Sequence, residues 1–415
     1  MMKRVVITGM GGITPVGNNV QDIWNAVSNG ECGIDKIQGF ESEQLPIHVA
    51  GQVKNFDPTA FGMSNSDVRH YDRFCQFAVA AAGEAMQQSG LVNGENIEPH
   101  RLGVYIGSGI GGMSTFITQT QNCLERGTRG VSPLFIPMMI SNMAGGNTAI
   151  KYNAQGPNLT MNAACATSTN AVGEAYLTIQ TGRADAIITG GAEAAINLLA
   201  IGGFANCRAL ATSEDPLAAC LPFDKKRGGF VIGEGAGILI LEELEHALKR
   251  GANIIAEVVG YGHTCDAYHY TAPRPDGTVT ARCISDALAQ AGYQSGENLY
   301  INAHGTGTAM NDAAETQAIK IALGEEDAKR ASISSSKSMT GHMLGAAGAV
   351  ELIISALALQ NNLVPPTIGL TEPDPACDLH YTPLVAEKKQ LDIAISNSLG
   401  FGGHNATVAI RKYRE

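Results

Sequence analysis

Four widely separated residues are of the types needed for nucleophilic catalysis. Cys165 is the candidate nucleophile, because a reactive thiol needs neighbours that ionise it and handle protons. His304 and His342 would supply such neighbours, and Lys337 would keep the site electropositive. All four stand in segments rich in Gly, Ala, Ser and Thr, where small side chains leave room for a substrate. Only the fold can bring them together, so they predict an enzyme site rather than a local motif.

The segment around Cys165 is typical of a junction between a strand and a helix, with the thiol in the first helical turn. Unpaired N–H groups and the helix dipole favour a thiolate at that place. The ordinary interpretation of a free cysteine is a small buried apolar residue. We keep that interpretation for Cys32, Cys75, Cys123, Cys207, Cys220, Cys265, Cys283 and Cys377.

Two glycine-rich loops could bind negative charge. Residues 397–404 follow a predicted strand; their N–H groups could form an oxyanion hole, and Gly on both sides of Phe401 would let its ring swing. Residues 107–112 match the pattern G-x-G-x-x-G, so nucleotide binding has to be weighed. Residues 118–137, which follow, do not resemble the second strand of a βαβ unit. Nucleotide binding is therefore the weaker hypothesis.

The composition limits the classes of partner. The chain has 415 residues, is 44% hydrophobic and 16% charged, and carries a formal net charge of −11. Such a charge gives no reason to expect nucleic-acid or anionic-membrane binding. An acidic partner would need a local basic patch, for which the candidates are Arg69, Arg73, Arg126, Arg129 and Arg208.

Cysteine spacing and apolar runs indicate the compartment. The nine Cys are spread singly with no C-x-x-C pair, which favours a reducing environment over a disulfide framework or a zinc site. The N-terminus runs directly into a predicted strand. The apolar run 186–201 is broken by Gly190, Gly191 and Glu193, so we expect no membrane span and a cytoplasmic chain.

Strand and helix patterns alternate, which predicts an α/β fold in one compact unit. Predicted strands cover 4–9, 102–107, 186–190, 230–233, 254–260, 299–303 and 393–396, and predicted helices cover 73–89, 167–181, 279–292, 312–323 and 346–360. The helical segments 166–181 and 346–360 have similar small-residue starts, and each is followed by a strand and a glycine cluster. This similarity is a hint of two related halves.

Over essentially its whole length the chain resembles elongating β-ketoacyl-acyl-carrier-protein synthases, the ketosynthases of bacterial fatty-acid synthesis, and is most similar to their synthase II group. The motifs that carry the resemblance are residues 4–9, 15–17, 163–168, 228–235, 304–308, 337–342 and 400–403. Residues 266–269 with 271–273 favour synthase II over synthase I.

The resemblance implies a thiolase-like fold, an α/β fold of two similar halves stacked as a five-layer αβαβα sandwich. Residues 1–253 would form the half with the nucleophile, and residues 254–415 the half with both His and the Lys. A homodimer is implied, with an interface that includes residues 133–143 and the helix after Cys165. The implied activity is decarboxylative condensation of acyl and malonyl groups, both carried by acyl carrier protein, without a required cofactor.

The resemblance also implies a role for each site residue. Cys165 would take the acyl chain. His304 and His342 would stabilise the enolate left by decarboxylation, with Lys337 supporting them. The N–H groups of Cys165 and Phe401 would form the oxyanion hole.

Further residues are implied to bind substrate, carrier and cation. Ile110 and Phe401 would line or gate the acyl pocket, and Phe135 from the partner subunit would close its end. The remaining implied positions are Thr306 and Thr308 for substrate, Arg69, Arg129 and Arg208 for carrier docking, and Asn302, Glu351 and Asn397 for a structural K⁺ or Na⁺ ion.

Three positions depart from the family pattern. Gly228 stands where an acidic residue is common, His404 where Thr is common, and Gly130 where a second basic residue often occurs. Other hypotheses within the superfamily are a non-catalytic chain-length-setting subunit, a polyketide-type synthase and a degradative thiolase. The first would not need the four catalytic residues, and the last would need a second Cys near residues 400–403. The sequence leaves the acyl chain-length preference open.

Overall fold

The chain folds around a mixed ten-stranded sheet. The computed structural model describes residues 2–39 and 47–414. The strands are β1 (Val5–Ile13), β2 (Asp35–Lys36), β3 (Val49–Ala50), β4 (Leu102–Gly107), β5 (Asn158–Leu159), β6 (Ala186–Glu193), β7 (Gly235–Glu243), β8 (Ala256–Cys265), β9 (Leu299–Asn302), β10 (Ser332–Ser334), β11 (Leu363–Val364), β12 (Glu387–Lys388), β13 (Ile393–Gly400) and β14 (His404–Arg411).

The strand order shows that the chain is duplicated. The order across the sheet is β10-β9-β13-β14-β8-β1-β7-β6-β4-β5. One set of strands runs β1-β7-β6-β4-β5 and the other runs β8-β14-β13-β9-β10. In each set the first two pairs of neighbours are antiparallel and the last two are parallel, and the chain visits the strands in the same order. The sets meet where three residues at the start of β1 pair with three at the start of β8. The hint of two related halves is therefore confirmed.

Helices cover and separate the two sets of strands. They are α1 (Val20–Asn29), α2 (Asn65–His70), α3 (Arg73–Ser89), α4 (Met113–Arg126), α5 (Phe135–Met139), α6 (Met143–Tyr152), α7 (Thr167–Gln180), α8 (Leu198–Asn206), α9 (Leu244–Lys249), α10 (Thr278–Gln290), α11 (Ala309–Leu323), α12 (Glu325–Arg330), α13 (Lys337–Thr340) and α14 (Ala347–Asn361). Helices α7 and α14 contact each other and strands of both sets, whereas α3 packs on β1, β6 and β7, and α10 on β8 and β14. This arrangement is the expected five-layer thiolase-like fold.

Glycines let each outer helix lie directly on its sheet. A Cβ on Gly9 or Gly11 of β1 would lie 2.1 or 1.9 Å from a carbonyl oxygen of α3. In the second half, a Cβ on Gly260 or Gly262 of β8 would lie 2.1 or 1.9 Å from a carbonyl oxygen of α10. The abundance of Gly and Ala in the sequence thus serves close contact between helix and strand.

Most predicted elements lie where the sequence places them, with one clear error. In the predicted strand 230–233, Phe230, Ile232 and Gly233 form only isolated bridges, each to a different segment, so no ladder forms there. The strand lies a few residues later, in β7. The suggested division at 253/254 falls in the connection between α9 and β8. The separation of the chain into two domains at that point stays a prediction.

One segment within the described residues, Leu344–Asn361, is long and apolar enough to span a membrane by length and composition. It contains α14, and 83% of it is buried inside the fold. Its apolar character is explained by its place in the middle layer, between the two sets of strands.

Candidate active site

Cys165 lies on a sharp turn that leads into α7. The turn is a 3-10 helix, Ala164–Ala166, and Ala164 has φ of +49°, a left-handed conformation that non-glycine residues rarely adopt. Thr167 holds the turn: its hydroxyl accepts from the Ala163 N–H at 2.9 Å and donates to the Ala164 carbonyl at 2.7 Å. The predicted junction before a helix is thus present, with a 3-10 turn at its start.

A carboxylate positions the first histidine. His304 follows β9, and its N–H and that of Gly305 both donate to Glu315 on α11, at 2.8 Å each. Burial raises the pKa of Glu315 to about 7, while these two N–H groups lower it. The contact fixes the backbone at His304.

The second histidine is held by backbone bonds. His342 follows α13; its N–H donates to the Val231 carbonyl at 2.7 Å, and its carbonyl accepts from Gly233 at 2.8 Å. Its ring packs edge-on against Phe230, with ring centroids 5.2 Å apart. The segment 230–233, wrongly predicted as a sheet strand, therefore serves to support this histidine.

The fold brings the nucleophile and both histidines together. One ligand atom each of Cys165, His304 and His342 lie within 4.8 Å of one another. The two imidazole rings are nearly perpendicular, with centroids 5.3 Å apart. Nδ1 of His304 and both ring nitrogens of His342 are buried and have no hydrogen-bond partner among the described residues. A buried polar nitrogen without a hydrogen-bond partner costs free energy of folding, so its presence calls for a functional explanation. These nitrogens can hydrogen-bond to a substrate atom in this cavity.

Burial determines the protonation state of the two imidazole rings. Desolvation, and secondarily the charge of Lys337, holds the pKa of His304 and of His342 well below the usual range, so both rings are neutral near pH 7.

Burial also raises the pKa of Cys165 to about 12, although Lys337 and the N–H groups of Phe401 and Cys165 itself lower it. The thiolate expected from the helix start is therefore wrong for the free protein, because desolvation exceeds the effect of the helix end. The pKa-lowering effect of the two N–H groups places them near the sulfur, as an oxyanion hole requires.

Lys337 stands behind the histidines in a buried ion pair. Its Nζ donates to Glu351 Oε1 on α14, and the side chains are 1% and 2% exposed. Breaking such a pair leaves an uncompensated buried charge, which is strongly destabilising. The pair thus fixes the Lys337 ammonium near the two neutral rings.

Seven of the predicted site residues line one cavity of about 150 Å³. Its walls include Cys165, Arg208, His304, Thr306, Thr308, His342, Phe401 and His404. The Thr306 and Thr308 hydroxyls are hydrogen-bonded at 3.0 Å. Phe401 stands in the β13–β14 turn beside Gly402 and Gly403, whose φ angles are +88° and +80°, and its ring lies 6.4 Å from that of Phe204.

Other predicted residues lie outside this cavity. Ile110 packs in an apolar cluster with Cys165, Phe204 and Leu344. Phe135 is half-buried at the start of α5, 6.2 Å from the Phe116 ring. Arg69 and Arg129 are exposed, as is Arg208 at the cavity, and no ion pair engages these three among the residues the structure describes. Arg73, in contrast, is paired with Glu234 at 2.8 Å.

The three departures from the family pattern differ in their surroundings. A Cβ at Gly228 would meet open space. A Cβ at Gly130 would lie 2.7 Å from both Arg126 Cβ and the Asn122 carbonyl, so no basic side chain fits there without a backbone shift. The His404 ring lies against Gly402 and forms part of the cavity wall.

The expected cation residues are partly suited to an ion. Asn302 Oδ1 and Glu351 Oε2 are buried oxygens without a hydrogen-bond partner among the described residues. Oxygen atoms are the preferred ligands of hard cations. Asn397 Oδ1, in contrast, already accepts from the Thr407 hydroxyl at 2.9 Å.

Two buried carboxylates of the site were not identified from the sequence. Glu315 could have been noticed as an acidic residue on the buried face of α11. Glu193 was noted only as an interruption of an apolar run. Its carboxylate accepts from the Gly109 and Ile110 N–H groups at 2.8 and 3.1 Å, so the G-x-G-x-x-G loop donates to the protein itself. This occupancy removes the basis for nucleotide binding there.

Comparison with known proteins agrees with this geometry. Residues 2–247 match the family described as beta-ketoacyl synthase, N-terminal domain, and residues 255–371 match its C-terminal domain. The chain is 50% identical to the 3-oxoacyl-[acyl-carrier-protein] synthase 2 of Synechocystis sp. over 413 residues, 99% of each chain. It is 49% identical to the protein of the same name from Staphylococcus aureus (strain COL) over 411 residues, again 99% of each.

A solved structure shows the same fold. A type II PKS ketosynthase, in complex with its acyl-carrier protein, matches with a TM-score of 0.92, 36% identity and 100% coverage of both chains. Given the two domain matches and the full-length relatives, this chain belongs to the beta-ketoacyl synthase family.

Proposed function

We propose that the protein is a 3-oxoacyl-[acyl-carrier-protein] synthase of fatty-acid chain elongation, of the type II group. It condenses an acyl group and a malonyl group, each held as a thioester on acyl carrier protein. The products are the 3-oxoacyl-carrier thioester, CO₂ and free carrier protein. The observation that carries this proposal is the cluster of Cys165, His304 and His342 within 4.8 Å, with unpartnered ring nitrogens in a cavity.

The first step moves the acyl chain onto Cys165. The sulfur attacks the acyl thioester carbonyl, the carbon–sulfur bond to the carrier breaks, and the thiol proton ends on the released carrier sulfur. Because burial keeps the thiol protonated, a neutral imidazole nearby relays that proton. The N–H groups of Cys165 and Phe401 stabilise the oxyanion that forms during the attack.

The second step removes carbon dioxide from the malonyl group. The bond to the carboxylate carbon breaks, CO₂ leaves, and the electron pair remains as an enolate on the thioester carbonyl. A ring N–H from each of His304 and His342 donates to that oxygen. Neutral rings suit this role, since they donate hydrogen bonds without first losing a proton.

The third step forms the carbon–carbon bond. The enolate carbon attacks the acyl carbonyl on Cys165, and the carbon–sulfur bond to Cys165 breaks. The sulfur regains a proton, so one proton is consumed over the whole reaction. A cavity with few waters prevents protonation of the enolate before it attacks.

Other members of the superfamily fit less well. A chain-length-setting subunit would not need the clustered Cys and His residues. A thiolase would need a second Cys near residues 400–403, and the sequence has none there. A polyketide-type synthase is the second candidate, but identity is 50% to a 3-oxoacyl-carrier synthase and 36% to a type II PKS ketosynthase.

The carrier protein is proposed to dock at exposed arginines. Arg208 stands at the cavity mouth, and Arg69 and Arg129 are exposed. Because the chain carries a net charge of −11, such local positive charge is needed to attract an acidic partner. The proposal also includes a structural K⁺ or Na⁺ ion near Asn302 and Glu351. It requires no catalytic cofactor and places the protein in the cytoplasm.

The proposed activity is tested with purified protein, acyl-carrier and malonyl-carrier substrates. Mass spectrometry should show the 3-oxoacyl-carrier product, with one CO₂ released per product. Substrates of increasing acyl length give the chain-length preference. Release of CO₂ without any longer product would contradict condensation.

The protein is expected to be a homodimer. Strand β5 is an exposed sheet edge, and Leu159 on it is 50% exposed; Phe116 on α4 and Ile136 on α5 are 43% and 54% exposed. Exposed edges and apolar patches mark interfaces. Most of helix α7 is buried within the monomer, with Leu177 38% exposed, and its expected share in the interface stays a prediction. Light scattering at micromolar concentration checks the state, and a stable monomer would refute it.

Phe401→Ala is expected to speed acylation by bulky chains and to lower selectivity among chain lengths. The substitution removes the ring that stands over the cavity but keeps the backbone N–H near the sulfur. Rates of acyl-enzyme formation are measured for several chain lengths by mass spectrometry. A variant equal to the parent for every chain would show that the ring is no gate.

A further inference from the structure

The duplication gives the catalytic turn a counterpart in the second half. The turn Ala164–Ala166 leads into α7, and the turn Leu344–Ala346 leads into α14. Both begin with a non-glycine residue in the left-handed region, Ala164 at φ +49° and Leu344 at φ +47°. Gly345 therefore occupies the position that corresponds to Cys165.

The strand ends that face the two turns also correspond. Strand β13 ends at Gly400 and β6 ends at Glu193, each as the last of 8 residues. The end of β13 faces the catalytic turn: a Cβ on Gly400 would lie 3.2 Å from the Cys165 nitrogen. The end of β6 faces the other turn, where Glu193 Oε2 accepts from the Gly345 N–H at 3.0 Å.

The second turn thus holds a carboxylate where the first leaves space for a substrate oxyanion. Glu193 Oε2 accepts from Gly109 and Gly345, at 2.8 and 3.0 Å, and Oε1 accepts from the Ser108 hydroxyl and the Ile110 N–H, at 2.9 and 3.1 Å. Glu193 is fully buried and, among the described residues, forms no ion pair. Burial raises the pKa of Glu193, and these four donors lower it because they stabilise the ionised carboxylate.

The bound loop carries Ile110, which packs beside the nucleophile just outside the cavity lining. Ile110 packs in the same apolar cluster as Cys165 and Leu344. A Cβ at Gly109 or Gly345 would lie 2.8 or 2.7 Å from Glu193 Oε2, so the loop and the turn fit closely around the carboxylate. Loss of the hydrogen bond from the Ile110 N–H to Glu193 would let the Ile110 side chain move from its fixed position beside Cys165.

We propose that Glu193 is a positioning residue for acyl-chain selectivity. The turn Leu344–Ala346 has Gly345 where the other turn has Cys165, and the Glu193 carboxylate accepts from the Gly345 N–H. The same carboxylate holds residues 108–110, and with them the Ile110 side chain, in place. The inference rests on the proposed function, because selectivity is read from acyl transfer to Cys165.

Glu193→Gln tests the proposal with nearly unchanged shape. The amide nitrogen must face one of the two donor pairs, and that pair loses its acceptor. We expect the ratio of acylation efficiencies (kcat/KM) for palmitoyl and hexanoyl carriers to change by about tenfold, the scale of one lost buried hydrogen bond. Malonyl decarboxylation should stay within about twofold of the parent, since the histidines are untouched. Amide hydrogen exchange at residues 109–111 should become faster.

Glu242→Gln is the matched control. Glu242 is also fully buried, on β7, and accepts from Thr8, His246 and Arg250, with no contact to the cavity. It should lose stability but keep the parent's selectivity. If Glu193→Gln does not fold, Ser108→Ala removes one donor to the carboxylate and should also change this ratio.

The outcomes separate the inference from the proposed function. The role of Glu193 would be overturned if folded Glu193→Gln kept the parent's chain-length selectivity and amide hydrogen exchange. If Glu193→Gln does not fold, the same result in Ser108→Ala would overturn it. An equal shift in Glu242→Gln would do the same. Failure of the parent protein to form any acyl-Cys165 would overturn the proposed function, and this inference with it.

Discussion

Replacing Cys165 with Ala is expected to abolish acyl transfer and condensation but to leave measurable malonyl decarboxylation. The sulfur is the atom that holds the acyl chain, whereas the hydrogen-bond donors for the enolate belong to His304 and His342. The substitution removes the nucleophile and leaves those rings in place. Acyl-enzyme is measured by mass spectrometry after incubation with acyl carrier, and CO₂ release is measured with malonyl carrier alone.

The control for this experiment is Cys32→Ala. Cys32 is a half-buried free cysteine that does not line the cavity, and its replacement should leave both half-reactions intact. An acyl group found on another cysteine of the Cys165→Ala protein would show that the nucleophile is misassigned. Loss of decarboxylation in that variant would show that the two half-reactions are not separate.

His304→Ala and His342→Ala should have the opposite effect. Each removes one donor to the developing oxyanion, typically worth about 3 kcal/mol or roughly 100-fold in rate. Both variants should still form acyl-enzyme at Cys165, and the variant that lacks the ring relaying the thiol proton should form it more slowly. Their CO₂ release from malonyl carrier should fall steeply. The same two assays measure the effect.

His380→Ala provides a surface histidine for comparison. Its side chain is 48% exposed, hydrogen-bonds to Glu387 and does not line the cavity, so both half-reactions should match those of the parent. Normal decarboxylation in either active-site variant would refute the role of the pair. A fall in both half-reactions by the same factor would indicate a structural role instead of enolate stabilisation.

The duplication could be suspected from the sequence but not demonstrated. Short similarity between Ala- and Gly-rich helices arises by chance, so 166–181 and 346–360 alone were weak support. The shared strand order, the paired left-handed residues Ala164 and Leu344, and the matching helix–strand contacts at Gly9 and Gly260 are properties of backbone geometry. None of these has a clear sequence signal.

Residue types alone determined the chemistry: a thiol before a helix, two histidines in small-residue segments, a lysine, and motifs specific enough to indicate the family. Only the tertiary structure decided how those groups behave. Burial, which depends on residues distant in the chain, keeps the Cys165 thiol protonated and both histidines neutral. Nδ1 of His304 and both ring nitrogens of His342 have no partner among the described residues. Glu193 and Glu315 were missed because a carboxylate reveals its role only through the N–H groups that the fold turns toward it.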